Sequence, residues 1–170
     1  MLKNMFLIFM FLLVSCSSGT NSTANNSTNV LILTDVHFDP FSSCGESVNA
    51  KSQACVLNLV NESNPGLWNL PIGTVNRYSE DTDNTFFITG LSGLRQYIDS
   101  NQISKIFLNG DLLSHGFTAN FARYVPNGTR AQLTDLALNT ITYVIYNVAK
   151  ATNNAKIYYV LGNNDTDTFD

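Results

Sequence analysis

Three short apolar runs alternate with two helical stretches along this chain, and their order is the strongest constraint on its fold. Residues 30–34 (VLILT), 103–108 (ISKIFL) and 156–161 (KIYYVL) are strand-like. Between them, residues 85–100 and 132–151 repeat apolar side chains at helical spacing. Because a β-α-β-α-β order requires crossover connections, it predicts an α/β fold with parallel strands, right-handed crossovers and helices covering the sheet.

The first strand and the connection after it carry two further expectations. Residues 30–34 show no apolar/polar alternation, which predicts a strand buried on both faces. Residues 39–84 contain three of the four prolines and many Gly, Ser and Asn residues. This composition predicts a long irregular excursion, that is, a connecting segment without helices or strands, and connections of that length are usually functional.

The amino terminus has the pattern of an export signal. Residues 1–16 hold one lysine and an apolar stretch that is too short to span a bilayer. Residues 13–16 (LVSC) resemble the bacterial lipobox, which implies lipidation of Cys16 and a membrane anchor in the cell envelope. The alternative is an ordinary signal cleaved near residues 17–19 and a secreted product. Residues 17–29 are rich in Ser, Thr and Asn, which predicts a flexible tether.

Composition limits the remaining residues, 30–170, to one folded domain. The chain has 170 residues, of which 44 % are hydrophobic and 13 % charged, as in ordinary folded proteins. Its formal net charge is −4, and its Lys and Arg residues are scattered instead of forming a basic stripe. We therefore expect no binding to nucleic acid.

Two cysteines lie close together after the export signal. Cys44 and Cys55 are eleven residues apart in the predicted excursion. In an oxidising compartment a disulfide is the expected use of both, although two free thiols are the alternative.

Side chains that can bind metals follow each of the three predicted strands. They are Asp35 and His37 after the first strand, Asp111 and His115 after the second, and Asn163, Asn164 and Asp165 after the third. Ligands of open α/β sheets bind beyond the carboxyl ends of the strands, so these side chains should meet at one edge. Alternate residues of an extended chain point the same way, so in residues 35–37 the Asp35 carboxylate and the His37 imidazole can hold one cation.

The motifs around these residues resemble a known family. D-x-H (DVH), then G-D with a trailing His (GDLLSH), then G-N-x-D (GNND), each after an apolar strand, resemble the calcineurin-like metallophosphoesterases. LTDVHFDP and GDLLSH are similar in particular to the acid sphingomyelinase-like and endopolyphosphatase-like branch. The resemblance extends from residue 30 onward. It implies the amino-terminal half of that family's α/β sandwich, with metal-binding loops at the carboxyl ends of parallel strands.

The resemblance also implies a role for each motif residue. Asp35 and His37 would bind the first of two divalent ions, with zinc favoured over manganese or iron. Asp111 would bridge both ions, and Asn163 would bind the second. In this family a water activated by the two ions hydrolyses a phosphomonoester or phosphodiester, so a phosphate ester is the expected substrate. Lipid, nucleotide and polyphosphate substrates all remain open.

Two further residues would act on the substrate. His115, four residues after Asp111, would lie near the phosphoryl oxygens or the leaving group as a candidate acid. Asn164 stands where the commoner motif, G-N-H-D or G-N-H-E, has a histidine. An amide donates a hydrogen bond but cannot deliver a proton near neutral pH, which shifts the acid role toward His115.

The site predicted from these motifs is incomplete. Family members add a further His and a G-H-x-H motif from a second β-α half, whereas His115 is the last histidine here. We therefore expect a truncated or split phosphoesterase whose partner is the missing carboxyl-terminal half. The alternatives are a catalytically inactive remnant lipoprotein that acts in binding, and the nonfunctional product of a split gene.

Overall fold

A computed structural model describes residues 29–72, 81–153 and 155–166 of the chain. The predicted export signal, with Cys16 and the lipobox, lies outside the described residues. The predicted tether does too, except for its last residue, Asn29. Within the described ranges, no helix is both long and apolar enough to cross a membrane.

Three parallel strands form one sheet. They are β1 (Val30–Thr34), β2 (Lys105–Asn109) and β3 (Lys156–Val160), and they lie in the order β1-β2-β3. Neighbouring residues across the sheet follow a simple register, for example Leu31, Ile106 and Ile157. The predicted mixed α/β fold with parallel strands is therefore confirmed.

Helices fill the connections between the strands. They are α1 (Pro40–Cys44), α2 (Ala50–Asn61), a 3-10 turn (Pro65–Leu67), α3 (Asn84–Asn101), α4 (Phe117–Tyr124) and α5 (Arg130–Ala151). The helices predicted at residues 85–100 and 132–151 are confirmed as α3 and α5. Thr129 and Gln132 cap the start of α5 with reciprocal side-chain to backbone bonds.

The prediction of an irregular excursion over residues 39–84 is wrong for residues 40–44 and 50–61, which form α1 and α2, whereas residues 73–80 lie outside the described residues. Asp39 caps α1 by accepting hydrogen bonds from two backbone N–H groups, and Pro40 occupies the first turn. Asn49 and Ser52 form a capping box at the start of α2. Pro40, Asn49 and Ser52, which are residue types typical of loops, thus lie at helix starts.

A disulfide joins the end of α1 to the middle of α2. Cys44 and Cys55 are bonded, with their Cα atoms 5.6 Å apart, which is the pairing expected from the sequence. Tyr124 at the end of α4 donates a 2.6 Å hydrogen bond to the carbonyl of Gly45, next to this disulfide. Helices α1, α2 and α4 are therefore tied together.

One face of the sheet is buried against the helices. Leu31, Ile106 and Leu108 point to this face and are at most 2 % exposed. Leu31 and Ile106 pack with Leu94 and Ile98 of α3. Leu108 belongs to the main core, which extends under α5 and the α1–α2 pair.

The opposite face of the sheet is not covered by the described helices. Phe107 and Tyr158 stack on this face with ring centroids 5.1 Å apart, and they are 39 % and 38 % exposed. Val30 and Val160 share the same face and are exposed. The expectation of burial on both faces is wrong, because right-handed crossovers in a sheet that grows in one direction place their helices on the same side.

Candidate metal centre

The loops after the three strands meet at one edge of the sheet, as the parallel arrangement predicts. The backbone N–H of His37 donates to the carbonyl of Asp111 at 2.9 Å, which joins the first loop to the second. The backbone N–H of Asn164 donates to Oδ1 of Asp111 at 3.1 Å, which joins the third loop to the second. Asp111 is therefore the point where all three loops connect.

Two glycines allow the second and third loops to approach each other. A Cβ atom on Gly162 would collide with the side chain and backbone of Asp111. Gly110 has a φ of +48°, and a Cβ there would lie 2.7 Å from Cα of Gly162. The glycine of each motif is therefore required by backbone contact between the loops.

The backbone at three predicted ligands is left-handed. Asp35, His37 and Asp111 have φ values of 56°, 43° and 49°, in a region that side chains other than Gly visit rarely. Residues 35–37 are therefore not extended, and the expectation that alternation aligns Asp35 with His37 is wrong. The loops instead turn sharply and bring the two side chains together, which is the kind of local strain that clusters at functional sites.

The hydrogen bonds of His37 determine which ring nitrogen can bind a cation. Nδ1 of His37 faces two protein groups, the carbonyl of Leu113 at 3.2 Å and the side-chain nitrogen of Asn164 at 3.3 Å, so Nε2 is the nitrogen left for a cation. Nε2 lies 3.8 Å from Oδ1 of Asp35. Two ligands of a tetrahedral zinc ion, each about 2.1 Å from it, are about 3.4 Å apart, so the gap between these atoms is close to that of a shared ion.

The residues present fit one divalent ion. One ligand atom each from Asp35, His37 and Asp111 lies within 4.8 Å of the other two. Two carboxylates and a neutral imidazole are ligands for zinc, manganese or iron, and three protein ligands leave a position open for water or substrate. An ion pair between Asp35 and a protonated His37 is the alternative use of this contact, and 63 % exposure of the Asp35 side chain makes such a pair weak.

The two asparagines of the third loop lie differently from each other. Asn164 is 3 % exposed, and its side-chain nitrogen lies 3.3 Å from Nδ1 of His37. Asn163 is exposed, and its side-chain amide donates to Oδ1 of Asn164 at 2.7 Å. The predicted ligand Asn163 therefore contacts the predicted catalytic residue Asn164, which is the one packed against His37.

Asp165 closes the third loop and is not free to bind a metal. It is 4 % exposed, and its Oδ1 accepts the backbone N–H groups of Leu112 and Leu113 at 2.8 and 2.9 Å. Its Oδ2 accepts the N–H of Gly162 at 2.9 Å. The last residue of the G-N-x-D motif thus has a structural role, since both oxygens hold the second and third loops together.

Asp81, which the sequence interpretation missed, lies beside His115. Its Oδ1 is 2.7 Å from Nδ1 of His115, and its Oδ2 accepts the backbone N–H of the same residue at 2.8 Å. The ring of His115 stacks on that of His37, with centroids 4.1 Å apart. Asp81 follows no predicted strand and belongs to no recognised motif, so only its position in space indicates a role.

Comparison with known proteins adds no assignment, because neither a protein-family model nor a curated protein matches this sequence.

Proposed function

We propose that this protein is an exported phosphoesterase of the calcineurin-like metallophosphoesterase type, in which the described residues provide the amino-terminal part of a two-metal site. The convergence of Asp35, His37 and Asp111 on one point carries the proposal. The motif resemblance to the acid sphingomyelinase-like and endopolyphosphatase-like branch supports it. Export by residues 1–16 and anchoring through Cys16 would place the site at the cell envelope.

Each residue at the edge of the sheet has a role in this proposal. Asp35, His37 and Asp111 would hold the first divalent ion, and Asp111 with Asn163 would contribute to the second. Bound divalent ions activate water and neutralise the charge that develops on a phosphoryl group. His115 would give a proton to the leaving oxygen as its bond to phosphorus breaks, and Asn164 would donate a hydrogen bond to a phosphoryl oxygen.

A second polypeptide segment would complete the site. Asp111 and Asn163 are too few ligands to hold a second ion tightly. The exposed sheet face around Phe107 and Tyr158 offers an apolar surface on which another layer of the same sandwich could pack. The chain alone should therefore bind one ion weakly and turn over phosphate esters negligibly.

A binding protein without turnover is the second candidate. The observation that favours it is the amide of Asn164 packed against His37, where a proton-donating histidine is usual. In that case one ion held by Asp35, His37 and Asp111 would bind a phosphate-containing ligand without hydrolysing it.

Zinc titration by calorimetry tests the proposal on the full chain. We expect about one zinc ion per chain, and we expect His37→Ala and Asp111→Ala to weaken binding by at least about tenfold. Asp99→Ala is the matched control, since Asp99 is an exposed carboxylate on α3 that pairs with Arg95. Zinc binding that is absent, or that is the same in the wild type and both site variants, would refute the metal centre.

Turnover of a chromogenic phosphodiester separates the two candidates. A complementing segment that carries a further His and a G-H-x-H motif should raise hydrolysis from background if the chain is part of an enzyme. If the chain with the complementing segment still binds zinc and inorganic phosphate but hydrolysis remains at background, the result would favour the binding protein.

A further inference from the structure

One carboxylate contacts both the backbone N–H and the ring Nδ1 of a single exposed histidine. Asp81 accepts the backbone N–H of His115 with one oxygen and contacts the ring Nδ1 with the other, at 2.8 and 2.7 Å. The His115 side chain is 70 % exposed, whereas that of Asp81 is 18 % exposed. An exposed side chain normally keeps its rotamer freedom, so this imidazole is ordered by Asp81 and by stacking on His37.

A metal ion shared by His37, Asp81 and His115 is the competing interpretation, since their ligand atoms lie within 4.8 Å of one another. The ring geometry argues against it. Imidazole lone pairs lie in the plane of the ring, and these two rings are stacked with only 18° between their planes. Their lone pairs therefore do not converge on one ion. In addition, the 2.7 Å contact between Asp81 and His115 is a hydrogen bond that leaves no room for an ion between the two atoms.

The Asp81 contact also selects the tautomer of His115. A carboxylate at this distance accepts a hydrogen, so Nδ1 of His115 is protonated. In the neutral ring, Nε2 then has a free lone pair. This is the opposite of the tautomer that free histidine favours in water.

We infer that Asp81 is a positioning residue, which fixes the ring and tautomer of His115 so that Nε2 is the atom presented to a phosphoryl oxygen. This inference rests on the proposed function for its substrate. In the proposed hydrolysis His115 would act as the imidazolium, with Nε2–H facing the leaving oxygen. Nε2 would pass its proton to that oxygen as the bond to phosphorus breaks, which leaves the neutral ring protonated at Nδ1 and bonded to Asp81. The arrangement is that of a histidine oriented by a carboxylate, as in hydrolases that use such pairs.

Imidazole nitrogen NMR of the labelled full chain tests the geometric half of this inference. The chain has two histidines, so His37→Gln and His115→Gln assign all the resonances. At a pH where both rings are neutral, we expect His115 to be protonated at Nδ1 in the wild type and mainly at Nε2 in Asp81→Ala. Asp99→Ala should leave the tautomer unchanged. A wild-type His115 protonated mainly at Nε2 would overturn the inference, whether or not Asp81→Ala folds.

Titration with inorganic phosphate, with and without zinc, separates positioning from a merely structural contact. We expect phosphate to shift the His115 Nε2 resonance, and Asp81→Ala to bind phosphate roughly tenfold more weakly. Asp81→Asn keeps the shape and one acceptor and should lose less affinity. If both variants bind phosphate as tightly as wild type or tighter, charge repulsion by Asp81 outweighs positioning and the inference is wrong.

The outcomes distinguish this inference from the proposed function. If phosphate shifts the His115 Nε2 resonance in a way that depends on Asp81, while zinc binding does not depend on His37, the metal centre is refuted and the positioning role of Asp81 stands. Zinc binding that depends on His37, with a His115 resonance insensitive to phosphate, would have the opposite meaning.

Discussion

Replacing Asp165 with alanine should loosen the edge of the sheet that carries the candidate site. In the wild type, its carboxylate accepts three backbone N–H groups, from Leu112, Leu113 and Gly162. Asp165→Ala removes the acceptor of all three N–H groups at once. The second and third loops then keep the Asn164 to Asp111 bond and the bond from Gly110 N–H to the Val160 carbonyl.

The structure sets the magnitude of this effect. The bonds from Leu112 and Leu113 are buried, and a buried N–H without a partner costs about 1–3 kcal/mol. The Gly162 bond is partly exposed, so water can replace it. Removing a buried carboxylate also removes its desolvation cost, which offsets part of the loss. We therefore expect a loss of about 3 kcal/mol, against a total of about 5–15 kcal/mol for a domain.

Asp165→Asn sharpens this test. The amide oxygen can still accept from Leu112 and Leu113, but the amide nitrogen faces the N–H of Gly162, donor against donor. The expected loss is about 1–2 kcal/mol. Asp99→Ala, which removes an exposed pair with Arg95 within α3, is the control and should cost less than about 0.5 kcal/mol.

Urea unfolding followed by tryptophan fluorescence measures these differences. The single tryptophan, Trp68, is 8 % exposed and stacks on Tyr143, so its emission reports the main core. The reasoning is refuted if Asp165→Ala unfolds within about 0.5 kcal/mol of the wild type. It is also refuted if Asp165→Asn is destabilised as much as Asp165→Ala.

Three further predictions concern other parts of the fold. Burial raises the pKa of Tyr143 to about 12. Because this pKa is higher in the folded than in the unfolded protein, the stability contributed by the neutral phenol is complete below about pH 10. The free energy of unfolding then falls by roughly 2–3 kcal/mol as the pH rises through 12. Tyr143→Phe should cost about 1–2 kcal/mol at neutral pH, because Asn84 loses its 2.7 Å bond, and should flatten this alkaline decline in urea titrations; an unchanged decline would contradict it. Replacing Cys44 and Cys55 together with alanine should cost about 3 kcal/mol for a bridge spanning 11 residues, and equal melting of the reduced and oxidised wild type would contradict this. Tyr158→Lys should reduce self-association in sedimentation velocity, because it breaks the exposed apolar sheet face; a wild type that stays monomeric at high concentration would count against that face as a docking surface.

The order of strands and helices could be predicted from the sequence because the apolar spacing that indicates each element is local. The apolar spacing of residues 85–100 and 132–151 matched α3 and α5, and the three apolar runs matched β1, β2 and β3. Residues 39–84 misled because Asn, Ser and Pro favour both loops and helix starts, and only the hydrogen bonds of Asp39 and Asn49 show which applies.

The candidate site was readable in part. Residue type and position after a strand correctly predicted that Asp35, His37 and Asp111 lie close together. The backbone achieves this with left-handed turns and not with an extended segment. The sequence does not distinguish Asp165 from the other polar residues of its loop, because its structural role depends on three backbone N–H groups that only the structure shows. Asp81 could not have been found, because it reaches His115 across 34 residues and no local period links them.

The parallel α/β order, the two main helices and the edge of the sheet that carries the carboxylates and histidines all follow from the amino-acid sequence. These properties follow from side-chain periodicity and from the directionality of parallel strands. Three properties depend on the tertiary structure: which face of the sheet is buried, that both oxygens of Asp165 accept backbone N–H groups, and that Asp81 contacts His115. Those depend on contacts between residues far apart in the chain, and hydrogen bonds of that kind leave no periodic signal in a single sequence.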